Sequence, residues 1–125
     1  MKPLSILVAD DDPGLLQLMQ ICLANAGHTV ACASTGDEAL KLLNKQHFDL
    51  LVTDVLMPEG DGLNLIMDLK KAHSPVCILV ISGGGRYFPA KDCVRLATGL
   101  GAHAALFKPF GPPELFEAIN RALAA

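Results

Sequence analysis

The stretch Phe48-Asp-Leu-Leu-Val-Thr-Asp-Val-Leu-Met-Pro58 decides the fold. Its apolar run has the length of a strand, with Leu50 to Val52 fit for burial on both faces. The run ends on one carboxylate, Asp54, and Pro58 stops regular structure soon after. In an open parallel sheet, a residue at the carboxyl end of a central strand stands where ligands bind.

Four more strand-like segments flank this one. Ser5 to Ala9 is followed by Asp10, Asp11 and Asp12, and Asp12-Pro13 reads as a helix cap with proline in the first turn. Leu15, Leu16, Leu18, Met19, Cys22 and Leu23 then mark an apolar helix face, and Gly27 is the expected left-handed terminator. Thr29 to Ala33 is a second short strand. Thr35-Gly-Asp-Glu38 has the spacing of a capping box, with Ala39, Leu40, Leu42 and Leu43 directed inward. After the central stretch, Gly60-Asp61-Gly62 is loop chemistry and Leu63 to Lys71 returns to helical periodicity. Val76 to Ser82 is continuously apolar up to its final serine, as in a strand covered on both faces. A glycine-rich loop precedes a helix from Lys91 to Leu100, closed by Gly101. Ala102 to Phe107 is the fifth strand, closed by Lys108-Pro109-Phe110. The last helix starts at Gly111-Pro-Pro-Glu114, with Leu115, Phe116, Ile119 and Leu123 inward. Strands alternating with helices predict a doubly wound α/β fold with a parallel five-stranded sheet in the order 2-1-3-4-5.

The 125 residues suffice for one well-formed core, and 51% are apolar, so the chain reads as one domain over residues 1–125 with no output domain. A net charge of −3 without a basic run argues against direct nucleic-acid binding. No stretch has the length of a membrane span or a signal-peptide core, so no membrane insertion is expected and the expected location is cytoplasmic. Cys22, Cys32, Cys77 and Cys93 form no Cys-x-x-Cys pair and read as small buried hydrophobes. His28 and His103 open strands, whereas His47 and His73 close helices, where a cation complements the dipole.

The predicted topology gathers Asp10, Asp11, Asp54, Ser82 and Lys108 at one edge. Each alone reads as a cap or a solvated side chain; together they form a site. Three crowded carboxylates require a cation, and an all-oxygen donor set points to a hard ion such as Mg2+, for which Mn2+ could substitute. A hydroxyl and an ammonium beside that ion suit a phosphoryl group, with Asp54, alone on the central strand, as the nucleophile.

Read in order, Ile-Leu-Val-Ala-Asp10-Asp11-Asp12-Pro13, Asp54-Val-Leu-Met-Pro58 with Asp61-Gly62, Ser82, and Lys108-Pro109-Phe110 closely resemble the receiver domain of two-component response regulators, the CheY-like (flavodoxin-like) group. The resemblance covers the whole chain. It implies that Asp54 accepts a phosphoryl group from a sensor histidine kinase, a phosphotransfer protein or a small phosphodonor. It also implies Mg2+ held by Asp11, Asp54 and the Leu56 backbone carbonyl, with Asp10 acting through water, and phosphoryl contacts from Ser82 and Lys108. Such a protein is no enzyme beyond promoting its own phosphorylation and dephosphorylation. The implied readout face is Lys91 to Ala125, for an unnamed downstream protein, and a homodimer is compatible with it.

Three departures stand out. The family's switch aromatic, three residues before the lysine, is here Ala105. The loop Gly83-Gly-Gly-Arg86-Tyr-Phe88 looks long, and Arg86 is a candidate to contact the phosphoryl group in place of that relay. Leu56 and Gly84 stand where polar side chains influence attacking water, which predicts a long-lived phosphoryl state. A haloacid-dehalogenase-like phosphatase would need an acid at Leu56, and a nucleotide-binding module would need a Walker lysine or a first-strand glycine fingerprint. The remaining alternative is a docking scaffold that works independently of phosphorylation.

Overall fold

The computed structural model describes residues 2–57, 62–83 and 90–125, with the side chains of Ala90, Cys93 and Val94 not described. The turn at Pro58 and the loop carrying Gly84, Arg86, Tyr87 and Phe88 therefore lie outside the described residues. The elements run β1 (Ser5–Ala9), α1 (Pro13–Asn25), β2 (Thr29–Ala33), α2 (Gly36–Lys45), β3 (Leu50–Asp54), α3 (Gly62–Lys71), β4 (Cys77–Ser82), α4 (Ala90–Leu100), β5 (Ala104–Phe107) and α5 (Pro112–Ala124). All strand pairs are parallel, in the order β2-β1-β3-β4-β5. That is the expected doubly wound topology.

Every residue of β3 is buried, because helices cover both sheet faces. One layer packs Leu7, Leu51, Val55, Ile78 and Val80 against Leu65, Ile66 and Ala97 of α3 and α4. The other packs Ile6, Val8, Val52, Leu79 and Ile81 against Met19 and Leu23 of α1 and Leu115, Ala118 and Ile119 of α5. Burying each of the larger side chains in these two layers contributes about 1.5–3 kcal/mol.

Helix ends follow local chemistry. Asp12 Oδ1 accepts the amides of Gly14 at 2.9 Å and Leu15 at 3.4 Å, the expected cap. Gly27 and Gly101 take positive φ, +95° and +123°, and end α1 and α4. The capping box of α2 forms by half. Thr35 Oγ1 accepts the Glu38 amide at 3.1 Å, but the Glu38 carboxylate accepts from the Ser34 hydroxyl instead of the Thr35 amide.

Several expectations need correction. Leu123 is 41% exposed and Leu18 is 45% exposed, so neither faces the core. Ala118 and Ala122 fill the inner face of α5, because the small Ala side chain allows the helix to lie close to the sheet. The fifth strand begins at Ala104, two residues late, since the Ala102 amide still bonds the Ala97 carbonyl and completes the end of α4. The fourth begins at Cys77, because the Val76 amide turns to the Ser74 hydroxyl at 3.4 Å. Cys22, Cys32 and Cys77 are half-buried rather than fully buried. His47 lies two residues beyond the end of α2 and pairs with Asp49 at 3.1 Å, while His73 follows α3 in the left-handed region at φ 54°.

Candidate functional site

The ladder places the site residues at one edge. Asp10 leaves β1 with its amide still bonded to the Ala33 carbonyl at 3.1 Å, which carries the chain one residue past the strand. Asp54 lies opposite Ile81 and Ser82 opposite Phe107, so the carboxyl ends of β3, β4 and β5 step forward together. The Lys108 amide bonds the Ser82 carbonyl at 3.0 Å and aims the lysine side chain back toward β3 and β1.

Asp10 is fully buried, Asp54 is 7% exposed and Ser82 is 1% exposed. Asp11 is exposed and completes the group: one carboxylate oxygen from each of Asp10, Asp11 and Asp54 lies within 4.8 Å of the other two. Lys108 Nζ bridges the two buried acids, 3.0 Å from Asp54 Oδ2 and 3.0 Å from Asp10 Oδ2. Asp54 Oδ1 accepts the Leu56 amide at 3.3 Å, and Asp10 Oδ1 accepts the Asp12 amide at 2.9 Å.

The charges are held under tension. Burial pushes the Asp10 carboxyl above its ordinary range, against the opposing pull of the Asp12 amide and Lys108. The carboxylates of Asp54 and Asp10 hold the Lys108 ammonium above its usual value despite burial. Asp10 Oδ2 meets Lys108 only as an ion pair and has no well-aligned hydrogen bond. A buried carboxylate oxygen in that condition is costly, and a cation bringing its own water is one way to satisfy it. The donor set fits a hard divalent ion, with no nitrogen or sulfur ligand in the group.

The β3 backbone is pinned from two sides. The Thr53 hydroxyl, fully buried, donates to the Asp54 carbonyl at 3.0 Å. Gly62 packs its Cα against the same peptide, and its amide bonds the Val55 carbonyl at 2.9 Å. Thr53 has no place among the sequence-derived site residues, and nothing in the pattern of β3 singles it out. For Gly62 the signal is its place in the Asp61-Gly62 pair just before an apolar helix, but its contact partner is not legible. A cavity of about 210 Å³ lies alongside, lined by Asp12, Leu15, Lys108, Pro109 and Phe110, where the Lys108–Pro109 peptide is cis.

With this geometry in place, comparison with known proteins gives one answer. The family model described as the response regulator receiver domain matches residues 6–120. The chain belongs to the response regulator receiver domain family. It is 35% identical over 122 residues to the transcriptional regulatory protein GlrR of Escherichia coli (strain K12), an alignment covering 98% of this chain and 27% of GlrR. It is 36% identical over 110 residues to the alkaline phosphatase synthesis transcriptional regulatory protein PhoP of Bacillus subtilis (strain 168), covering 88% of this chain and 44% of PhoP. The receiver therefore spans less than half the length of these curated relatives. In structure it is similar to the chemotaxis response regulator CheY4 of Vibrio cholerae, with a TM-score of 0.84, 28% identity and coverage of 97% of this chain and 99% of that one. Among the described residues, no helix is long and apolar enough to cross a membrane.

Proposed function

We propose that this receiver accepts a phosphoryl group on Asp54 and signals through the contacts that this modification changes. The observation that carries the reading is the Asp54 carboxylate at the end of the central strand, grouped with two further acids and met by Lys108 at 3.0 Å. One Asp54 oxygen forms a bond to phosphorus while the donor's bond to phosphorus breaks and the leaving group departs on the opposite side. The donor is a histidine kinase, a phosphotransfer protein or a small acyl phosphate.

Asp10, Asp11, Asp54 and the Leu56 carbonyl would hold Mg2+, or Mn2+ in its place. That ion would supply positive charge to the phosphoryl oxygens. Lys108 exchanges its Asp54 partner for a phosphoryl oxygen, keeping its contact with Asp10, and Ser82 donates a hydrogen bond to another oxygen. Asp12 stays with the helix it caps.

The readout is proposed to lie on the face from Lys91 to Ala125, through protein contacts made by this domain or by a dimer of it. Position 105 is the departure there. Ala105 is half-buried, and Arg121 of α5 donates to its carbonyl at 3.2 Å, so a side-chain-to-backbone hydrogen bond joins α5 to β5 where an aromatic side chain would otherwise report. Arg86 remains a candidate for the reporting role and lies outside the described residues. The experiment is incubation with Mg2+ and acetyl phosphate, followed by intact mass, with Asp54→Asn as the control. No mass gain would favour the phosphorylation-independent scaffold.

A further inference from the structure

The two edge strands open in the same unusual way. Ahead of β5, the His103 amide donates to the Ile78 carbonyl at 2.8 Å, and the Ile78 amide donates back to His103 Nδ1 at 3.0 Å. At the first residue of β2, the Thr29 amide donates to the Leu4 carbonyl at 2.9 Å, and the Leu4 amide donates to Nδ1 of the preceding His28 at 3.0 Å. In each case a positive-φ glycine, Gly101 or Gly27, turns the chain out of the preceding helix, and an imidazole nitrogen takes the place of a backbone carbonyl. At β5 the Ala102 amide is still bonded to the Ala97 carbonyl, so the backbone just before His103 belongs to the end of α4.

We propose that His103 is a proton-sensitive clasp on the edge strand that leads to Lys108. The bond from the Ile78 amide needs a bare Nδ1, and therefore a neutral ring with its proton on Nε2. An imidazolium would turn N–H toward N–H, so protonation opens the clasp. Strand β5 has only four residues and pairs with β4 alone, from Ala104 opposite Leu79 to Phe107 opposite Ser82. Opening its first rung leaves a short strand held by its remaining ladder and by Arg121 on the Ala105 carbonyl.

The groups around the ring favour the neutral form. Burial, and then the Lys70 ammonium of α3, hold the His103 imidazole below its ordinary value. The Lys70 stem runs directly over Gly101, which places its charge beside the clasp. Strands β4 and β5 and the last turn of α4 carry no charged side chain, and from α5 Arg121 reaches the Ala105 carbonyl of β5. The titratable Cys77 thiol, next to Ile78, is pushed up by burial and is neutral at physiological pH. No acid in this set offsets Lys70.

The test is amide hydrogen exchange read residue by residue at pH values from 7.5 down to 5, on the parent chain and on His103→Asn. The Asn carboxamide oxygen stands in for Nδ1 as an acceptor and does not titrate. In the parent, protection at the Ile78 amide should fall once pH drops below about 6.5, by up to roughly tenfold per pH unit until the folded-state imidazole has titrated. In His103→Asn the same protection, corrected for intrinsic exchange, should stay flat. Flat protection in the parent, or a parallel fall in the variant, would overturn the proposal. Should His103→Asn fail to fold, the 15N shifts of His103 in the parent decide alone: Nδ1 must be the unprotonated nitrogen at pH 7.5, and a protonated Nδ1 refutes the clasp. None of these readouts depends on phosphorylation.

Discussion

Gly62→Ala is the substitution with the largest consequence that the site geometry sets. A Cβ at Gly62 would fall inside contact distance of the Asp54 carbonyl oxygen, and 3.0 Å from both the Asp54 carbonyl carbon and the Val55 Cα. All three obstacles are backbone, pinned by the Thr53 hydroxyl and by the ladder to β4, so no side chain can swing aside. Forcing one methyl into such a place costs about 1–3 kcal/mol or somewhat more. Parting the segments also weakens the bond from the Gly62 amide to the Val55 carbonyl, worth about 1 kcal/mol. The reduced freedom of the unfolded chain returns only about 0.4–1 kcal/mol. The net loss is about 3 kcal/mol. With an unfolding entropy of about 2.1 cal/mol/K per residue, the thermal midpoint falls by roughly 10 °C. Thermal unfolding followed by circular dichroism, without metal, measures it. Gly99→Ala is the matched control, because nothing lies within 4 Å of a Cβ there and the residue sits within α4. It should raise the midpoint by a few degrees, about 0.5–1 kcal/mol. A Gly62→Ala midpoint within about 2 °C of the parent would refute the close-packed account of the Asp54 peptide.

Two further predictions concern charge. Burial raises the Asp10 carboxyl, so the folded chain holds that proton more tightly than the unfolded chain; the fold carries a penalty that is absent below about pH 3.9 and grows as pH rises through the folded value. Asp10→Asn keeps an oxygen for the Asp12 amide but turns a donor toward Lys108, so its effect shows in the slope: the metal-free midpoint should fall less with rising pH above about 3.9 than in the parent, and the stabilisation that Mg2+ gives should shrink. An equally steep pH dependence, or an unchanged response to Mg2+, would contradict this. Asp49 shows the opposite sign: the Ser5 amide at 2.8 Å, and then His47, hold its carboxyl below the usual range. Its contribution is present at neutral pH and lost as pH falls below about 3.9 through the depressed value. Being 40% exposed, it is worth no more than about 1 kcal/mol, so Asp49→Ala should lower the midpoint at pH 7 by a few degrees, and by less as pH falls below about 3.9.

What the sequence made legible follows from periodicity and strand ends. The continuous apolar runs of β1, β3 and β4, short and rich in β-branched residues, read as strands buried on both faces, and their order brought Asp10, Asp11, Asp54, Ser82 and Lys108 to one edge. Asp12 and Gly27 announced their caps by residue type alone. The misses are contacts between side chain and backbone, or between one backbone and another, which periodicity does not encode. His103 and His28 marked where strands open, but not that their rings replace carbonyls. Glu38 had the capping-box spacing, yet the neighbouring Ser34 hydroxyl won its carboxylate. Leu18 and Leu123 fit the helical apolar pattern and are nonetheless exposed, because Met19 and Leu23, or Ala118 and Ala122, already fill the space against the sheet. The bridge from Lys108 to both Asp10 and Asp54 depends on where β5 ends relative to β3, which the register sets and composition does not.

Intact mass after incubation with Mg2+ and acetyl phosphate tests the central claim most directly. The parent chain should gain the mass of one phosphoryl group, the gain should require Mg2+, and Asp54→Asn should show none. No gain in the parent, or an equal gain in Asp54→Asn, would contradict the assignment of Asp54 as the phosphoryl acceptor.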